Sequence, residues 1–401
     1  MQSLYQYLKQ VSIAMKTKDG IKMSDSFSLR HSHTKNSNLL NVDSEEVLQT
    51  IDHHLGEITL LHLKCVTAVS RKDYNEAYSY QSPLVQQWIK LFQAIKDENW
   101  LLPVMITVCL DLRCLALKVG TVTSGESSTV TKPREALEKA AEALMNCFRI
   151  CTADNRAGER ETKKWGMMSF VNQLFKVYFK LNKLNLMKPL IRAIDSSPFK
   201  EKFSKAQQIT YKYFVGRKAT FDSEYALANE YLTYAFEKCH KSMRKNKRLI
   251  LIYLVPVKLL LGYMPTKAVL EKYDLTSLWE VAEAVKCGRL NNLNSAMEKH
   301  QSFFIKSGIY LILEKLKLIA YRNLFKRAYL QVKNHVVPMQ VLLAAAQIVD
   351  NEPVEMDDVH CLVANMIHSG KIKGYISLAH QKLVLSKVDA FPKLSNINHS
   401  N

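Results

Sequence analysis

The chain is 401 residues long, more than one hydrophobic core usually holds, so two domains or a long repeat array with an appendage are expected. Gly and Pro together number 12 + 10 = 22, about half of average usage, and this excludes turn-rich β sandwiches and loop-rich α/β enzymes in favour of helices joined by short links. The hydrophobic fraction of 47% excludes disorder over most of the length, and a net charge of +19 with pI ≈ 9.4 favours polyanionic partners: nucleic acid, an anionic membrane surface or an acidic protein segment.

Residues 1–15 suit a short amphipathic helix. Lys9 and the polar interruptions at Tyr5, Tyr7 and Ser12 are unlike a cleavable signal. Residues 16–44 are Ser-, Asn-, His- and Lys-rich with few large apolar groups, and are expected to form a flexible polar linker. Within them His31-Ser32-His33 invites comparison with the H-x-H-x7-S-x2-D zinc site of isopeptidases. The Ser and Asp positions of that pattern hold Asn41 and Ser44, so no metal is expected.

From Val47 to about His335 the apolar period is helical. Ile51, Leu55, Ile58, Leu61/His62 and Cys65 share one stripe. Ala136, Ala140, Leu144, Cys147, Phe148 and Cys151 form another, after a start signal at Thr131-Lys132-Pro133. A third holds Leu227, Tyr231, Tyr234, Ala235 and Cys239, after Asp222-Ser223. Breaks fall at Thr121–Thr131, Ala153–Lys164, Ser196-Ser197-Pro198 and the basic connection Lys241–Arg248. This spacing predicts a helical-hairpin, TPR-like solenoid over 45–335, with a compact irregular bundle as the alternative. The eight cysteines contain no C-x-x-C and read as buried reduced thiols. Leu249–Val257 and Leu101–Leu110 are about half of what a bilayer requires.

After Pro338 two short helices, Val341–Val349 and Met356–Ser369, precede a loop-linked pair of alternating segments at Ile372–Ile376 and Lys382–Ser386, the pattern of a winged helix over 336–395 with a 396–401 tail. The fold class is therefore all-α with a small β-hairpin wing. No G-x-x-x-x-G-K-[ST], G-x-G-x-x-G, H-E-x-x-H or G-x-S-x-G occurs, so no catalytic residue, metal or cofactor is expected.

Leu278-Trp279-Glu280-Val281-Ala282-Glu283-Ala284-Val285-Lys286-Cys287-Gly288-Arg289-Leu290, backed by Leu293, Met297 and Phe303, resembles the centre of PCI domains, which join helical repeats to a winged helix in scaffold subunits. Leu249–Gly262 and Tyr321–Lys326 are similar to the branch that serves the nuclear-pore-associated transcription-and-export complex. That resemblance implies a nuclear, nuclear-pore location with a cytoplasmic pool, a role in mRNA export, and two protein partners: a large PCI-containing scaffold and a small, acidic, disordered subunit. It also implies a winged-helix surface for RNA or DNA. A signalosome- or proteasome-lid-like subunit acting in protein turnover is the alternative.

Three basic groups are candidates for these contacts. Arg322, Lys326, Arg327 and Lys333 precede the winged helix, and Lys371, Lys373, Lys382 and Lys387 mark the wing; both groups are expected to meet nucleic-acid phosphates. The second helix of the winged region begins with Asp357 and Asp358 and carries no Lys or Arg, which argues against reading of base sequence. The third group, Lys241, Arg244, Lys245, Lys247 and Arg248, suits a solvated loop, an acidic-peptide contact or an import signal. For the acidic partner, Lys212, Arg217 and Lys218 would face carboxylates while Tyr211, Tyr213, Phe214, Phe221, Tyr225 and Tyr231 anchor its apolar residues. The open solenoid is also expected to be poorly soluble without an acidic partner.

Overall fold

A computed structural model describes residues 2–40, 42–95, 98–120, 132–155, 161–349 and 353–397. They form two compact units that divide between Tyr211 and Lys212, inside the Lys205–Phe221 helix.

In the first unit the helices His53–Ser70, Tyr74–Ala94, Leu102–Ala116, Pro133–Thr152 and Met167–Leu181 each pack on the next, as helical hairpins do. Local chemistry sets their starts. The Asp73 side chain accepts from the amides of Asn75 and Glu76, and Pro133 occupies the first turn of its helix, where no amide is needed. The predicted stripes are buried: Ala136, Ala140, Leu144, Cys147 and Cys151 line one, and in the His53–Ser70 helix His62 faces inward in place of Leu61. Cys109 and Cys147 share a thiol hydrogen bond at 3.6 Å and no disulfide; all eight cysteines are free thiols, but only five are buried, Cys114 and Cys287 being half-buried and Cys361 exposed, against the expectation that all would be buried. No described helix is long and apolar enough to cross a membrane. The loop expected at Thr121–Thr131 lies outside the described residues, as do 156–160 of the Ala153–Lys164 break.

The N-terminal region corrects the linker expectation. Leu4–Lys16 is the predicted helix, closed by a reciprocal capping box between Ser3 and Gln6. Residues 16–44, however, hold a helix at Gly20–Ser26 and one-turn helices at Ser32–Lys35 and Ser37–Leu39, with Met23, Phe27 and Leu39 fully buried. Phe27 meets Trp88 edge to face at 5.1 Å. The Leu102–Ala116 helix supplies the polar anchor: buried Asp111 accepts from the Leu29 amide at 2.8 Å and from Arg30 Nε at 3.1 Å. A segment this polar is ordered by tertiary partners, which local composition does not reveal.

His33 is held in the same place. Its Nε2 lies 2.9 Å from Nε2 of His62, so one ring donates and the other accepts, and both rings are buried. Among the described residues no cluster of three or more His, Cys, Asp or Glu could hold a metal. Burial, with a smaller contribution from His31, pushes His33 down from 6.5 to about 4, and burial also lowers His62. Folded imidazoles that stay neutral below 6.5 face an unfolded chain that takes up protons there. Stability held above pH 6.5 is therefore lost as pH falls toward 4, at up to about 1.4 kcal/mol per pH unit for each ring. The urea midpoint is expected to drop between pH 7 and pH 5, and more steeply in the native chain than in His33→Gln. Equal slopes would refute the assignment.

The second unit continues with Tyr225–Lys238, Arg244–Leu260, Lys267–Lys272, Thr276–Cys287, Leu290–Lys299, Gln301–Ser307, Tyr310–Glu314 and Leu316–Val332. In Tyr225–Lys238 the buried stripe is Ala228, Leu232 and Ala235, while Leu227 is exposed, one residue off the expected register. Between Thr276–Cys287 and Leu290–Lys299 the chain turns at Gly288, whose φ of +64° suits a residue without Cβ. Leu278, Val281, Ala282, Val285 and Leu290 are buried as predicted.

The C-terminal region is a winged helix. Strand β1 (Val336–Pro338) precedes the helices Met339–Val349 and Met356–His368, and β2 (Gly374–Ser377) and β3 (Lys382–Leu385) follow. Residues 350–352 of the expected turn lie outside the described residues. The sheet order β1-β3-β2, antiparallel throughout, adds to the expected hairpin a third strand that pairs across more than forty residues. Pro338, lacking an amide, sits on an edge strand. Phe325, Val337, Leu342, Val359, Val363, Met366, Leu383 and Phe391 form the core, so the helices cover one sheet face only.

Candidate interaction surfaces

The eight cations expected to meet nucleic acid divide by burial. Lys326, Arg327 and Lys333 are exposed on and just after the Leu316–Val332 helix, which Lys333 closes at φ 53°. Lys373, Lys382 and Lys387 are exposed on the wing, with Lys373 Nζ 3.7 Å from the Asp389 carboxylate. Arg322 corrects the expectation. It is buried, donating from Nε to the Lys371 carbonyl at 3.0 Å and from Nη2 to the Pro392 carbonyl, above the Phe391 ring. Burial lowers its pKa, partly offset by Asp389. Lys371 is half-buried, its pKa lowered by burial and then by the Arg322 charge, and so offers less to a ligand than its neighbours.

Strand register places Lys373 and Lys382 on opposite sides of Tyr375. Tyr375 lies opposite Val384 and Ser377 opposite Lys382, while Ser386 donates to the Lys373 carbonyl at 2.8 Å. Lys373, Tyr375, Val384 and Lys382 thus share the sheet face away from the core. Tyr375 is 63% exposed. Charge counting passed it over, although outward alternation at Lys373, Tyr375 and Ser377 marks it.

The surface expected for an acidic partner is also only half available. Lys212 Nζ lies 4.1 Å over the Tyr234 ring and 5.3 Å over Tyr231, and Arg217 stacks 4.7 Å over Tyr253. Tyr213 meets Phe214 and Tyr253, and burial raises both tyrosines' pKa. Lys218 is buried and paired with Asp222, Tyr211 and Phe214 belong to the core, and none of the three is open to a partner.

The basic connection is likewise corrected: the Arg244–Leu260 helix begins within it. Lys247 turns inward to donate to the Phe236 carbonyl at 2.7 Å. Arg244 Nη2 pairs with Asp274 at 3.1 Å, and Arg248 reaches the Asp274 carbonyl at 3.4 Å above the Phe303 ring. Lys241 and Lys245 are exposed. Four cations in the first two turns oppose the positive end of the helix dipole, an arrangement that an anion would relieve.

One further cluster escaped the sequence. Glu280 accepts from Lys299 Nζ at 3.0 Å and lies 3.0 Å from His300 Nε2, beside a cavity of about 370 Å³ lined by Glu283, Cys287 and Arg289. The Lys299 hydrogen bond, with a smaller part from His300, lowers the Glu280 pKa. These charges close on one another across the Gly288 turn and supply no activated nucleophile.

Residues 297–387 match the PCI domain family, and residues 137–277 match the PSMD3-like N-terminal TPR repeats. The chain is 50% identical to PCI domain-containing protein 2 of Xenopus laevis, over 98% of this chain and 99% of the relative. Its identity to the PCI domain-containing protein 2 homolog of Drosophila melanogaster is 47%, over 97% and 98%. Protein CSN12 homolog of Neurospora crassa is 33% identical over 76% of this chain and 78% of its own.

Proposed function

This chain belongs to the PCI domain-containing protein 2 family, and on that premise we propose that it is a non-enzymatic scaffold subunit of a nuclear-pore-associated mRNA-export complex. It binds a large PCI-containing partner and a small acidic, disordered subunit, acts in the nucleus at the pore with a cytoplasmic pool, and contributes a sequence-independent surface for RNA or DNA. The observation that carries the nucleic-acid part is a charge imbalance. Residues 316–349 hold Lys317, Arg322, Lys326, Arg327 and Lys333, and residues 369–397 hold Lys371, Lys373, Lys382, Lys387 and Lys393, ten cations against the single acid Asp389, while the other five acids of 316–397 (Asp350, Glu352, Glu355, Asp357 and Asp358) are confined to the segment between them. Removing the buried Arg322 leaves nine. Phosphates neutralise such a surface and release counterions, so affinity should fall steeply with salt.

Reversing Lys326, Arg327, Lys373 and Lys382 to Glu is the test. Single-stranded RNA binding by the full-length chain, with its PCI-containing partner, is expected to weaken at least tenfold with the melting temperature unchanged, since all four side chains are exposed. Undiminished affinity would remove the nucleic-acid part. For the acidic partner, the exposed Lys241 and Lys245 and the ring-stacked Lys212 and Arg217 are the contacts we propose, without Lys218 or Lys247.

The relative named Protein CSN12 homolog favours a second reading, a subunit of a signalosome-like assembly. Co-purification separates the two: export factors in one case, deneddylase or proteasome subunits in the other.

A further inference from the structure

We infer that the outer face of the wing sheet is a stacking platform for an unpaired base, with the Tyr375 ring as the stacking surface and Lys373 and Lys382 gripping the flanking phosphates. The inference rests on the nucleic-acid reading above and deepens it: the exposed cations alone would take single and double strands alike, whereas Tyr375 selects single strands.

A tyrosine on a small winged domain would normally turn its ring into the core or onto a neighbour. Tyr375 does neither. It is 63% exposed, and among the described residues its hydroxyl has no hydrogen-bond partner and its ring no aromatic or cationic partner. The strand register explains the direction it takes. Ile376 and Leu383, opposite each other, belong to the packed face, so Tyr375 and Val384 must take the other. Half-buried Val384 and Val336 continue the row across β3 and β1 and give the ring an apolar floor. Lys373 precedes Tyr375 by two residues on that face, and Lys382 lies diagonally across the strand pair. Leu378, 65% exposed at the hairpin tip, extends the apolar strip.

The chemistry of the rim chooses the occupant. An apolar row covered by a helix or a second protein sheet needs neutral or acidic borders on its own side only where the partner is basic. Here both borders are cationic, and Asp389, beside one of them, is already paired with Lys373. A polymer that alternates flat apolar rings with negative charges meets both features at once. A base inside a duplex is covered on both faces and cannot reach the tyrosine, which gives the single-strand preference.

The experiment compares wild-type chain, Tyr375→Ala, Tyr375→Trp and the Lys373→Glu/Lys382→Glu pair, all full length, against an oligoadenylate containing one 2-aminopurine and a random-sequence RNA duplex, over a range of salt. Expected is quenching of the 2-aminopurine by wild type, a loss of about tenfold in single-strand affinity in Tyr375→Ala, recovery in Tyr375→Trp, and no change toward the duplex. The salt slope should be unchanged in Tyr375→Ala and reduced by about one per cation in the lysine pair. If Tyr375→Ala binds like wild type while the lysine pair weakens, the stacking platform is overturned and the charged surface stands. An equal loss toward single strand and duplex in Tyr375→Ala also overturns it. If no variant alters binding, the charged-surface reading falls too, and the face is left to a protein occupant.

Discussion

Gly288→Ala is expected to destabilise the second unit by about 3 kcal/mol, read as a lowered urea midpoint with an unchanged slope. Two effects add. At φ +64° any residue with a Cβ costs about 1–2 kcal/mol. The added carbon would then lie 2.7 Å from the Leu324 amide nitrogen, 3.0 Å from Leu324 Cα and 3.1 Å from the Ala320 carbonyl oxygen. All three are backbone of the Leu316–Val332 helix, which cannot yield locally. That helix also holds the turn through Asn323, whose Nδ2 donates to the Val285 carbonyl at 2.8 Å. Pushing it away strips this hydrogen bond and shifts Phe325 within the winged-helix core. Gly370 supplies the control. Its φ is +69°, but the nearest atom to an added carbon is Ile397 Cγ2 at 3.8 Å, so Gly370→Ala should cost only the conformational part, about 1–2 kcal/mol. Equal losses in the two variants would show that the close approach at Gly288 carries no energy.

Gly288 was legible in the sequence because a turn between two apolar stripes needs a residue of its kind, and the stripes themselves were legible from their period. The same reasoning failed by one position at Leu227, where small Ala228 and Ala235 let helices approach and take the buried face from the larger leucine. It failed over residues 16–44 because Phe27 and the Leu29 amide find their partners, Trp88 and Asp111, more than fifty residues away. Strand β1 stayed hidden for a similar reason, since three residues show no alternation until β3 pairs with them.

The charged residues follow a common rule. A run of lysines and arginines announces positive surface, yet Arg322, Lys218, Lys247 and Lys163 are all turned inward. Three of them donate to main-chain carbonyls: Arg322 at Lys371 and Pro392, Lys247 at Phe236 near the end of its helix, and Lys163 at Phe92 and Ile95 where the Tyr74–Ala94 helix stops. Helix ends and chain crossings leave such oxygens without partners, and a long cationic side chain satisfies them. Sequence does not say where those ends will meet a cation. The candidate surface was therefore readable in sign and region, while its membership needed coordinates.

That distinction sets the second large effect. Arg322→Ala is expected to cost about 3 kcal/mol, because it strands the buried Pro392 carbonyl and the part-buried Lys371 carbonyl and leaves a void over the Phe391 ring. Arg322→Lys keeps one donor and should fall between. The exposed Lys326→Ala and Arg327→Ala, one turn further along the same helix, should stay within about 0.5 kcal/mol of wild type while weakening RNA binding and its salt dependence. Loss of RNA binding in Arg322→Ala should then follow the fraction of unfolded chain, disappear at temperatures where the variant is folded, and leave the salt slope unaltered. A variant that melts with wild type but binds RNA weakly would put Arg322 back among the phosphate contacts and would require its guanidinium to leave the Lys371 and Pro392 carbonyls. The clasp these three residues make ties the helix that precedes the wing to the segment that follows it, so its rupture should also loosen the strands between. Hydrogen exchange of the β2 and β3 amides, faster in Arg322→Ala and unchanged in Lys326→Ala, measures that directly.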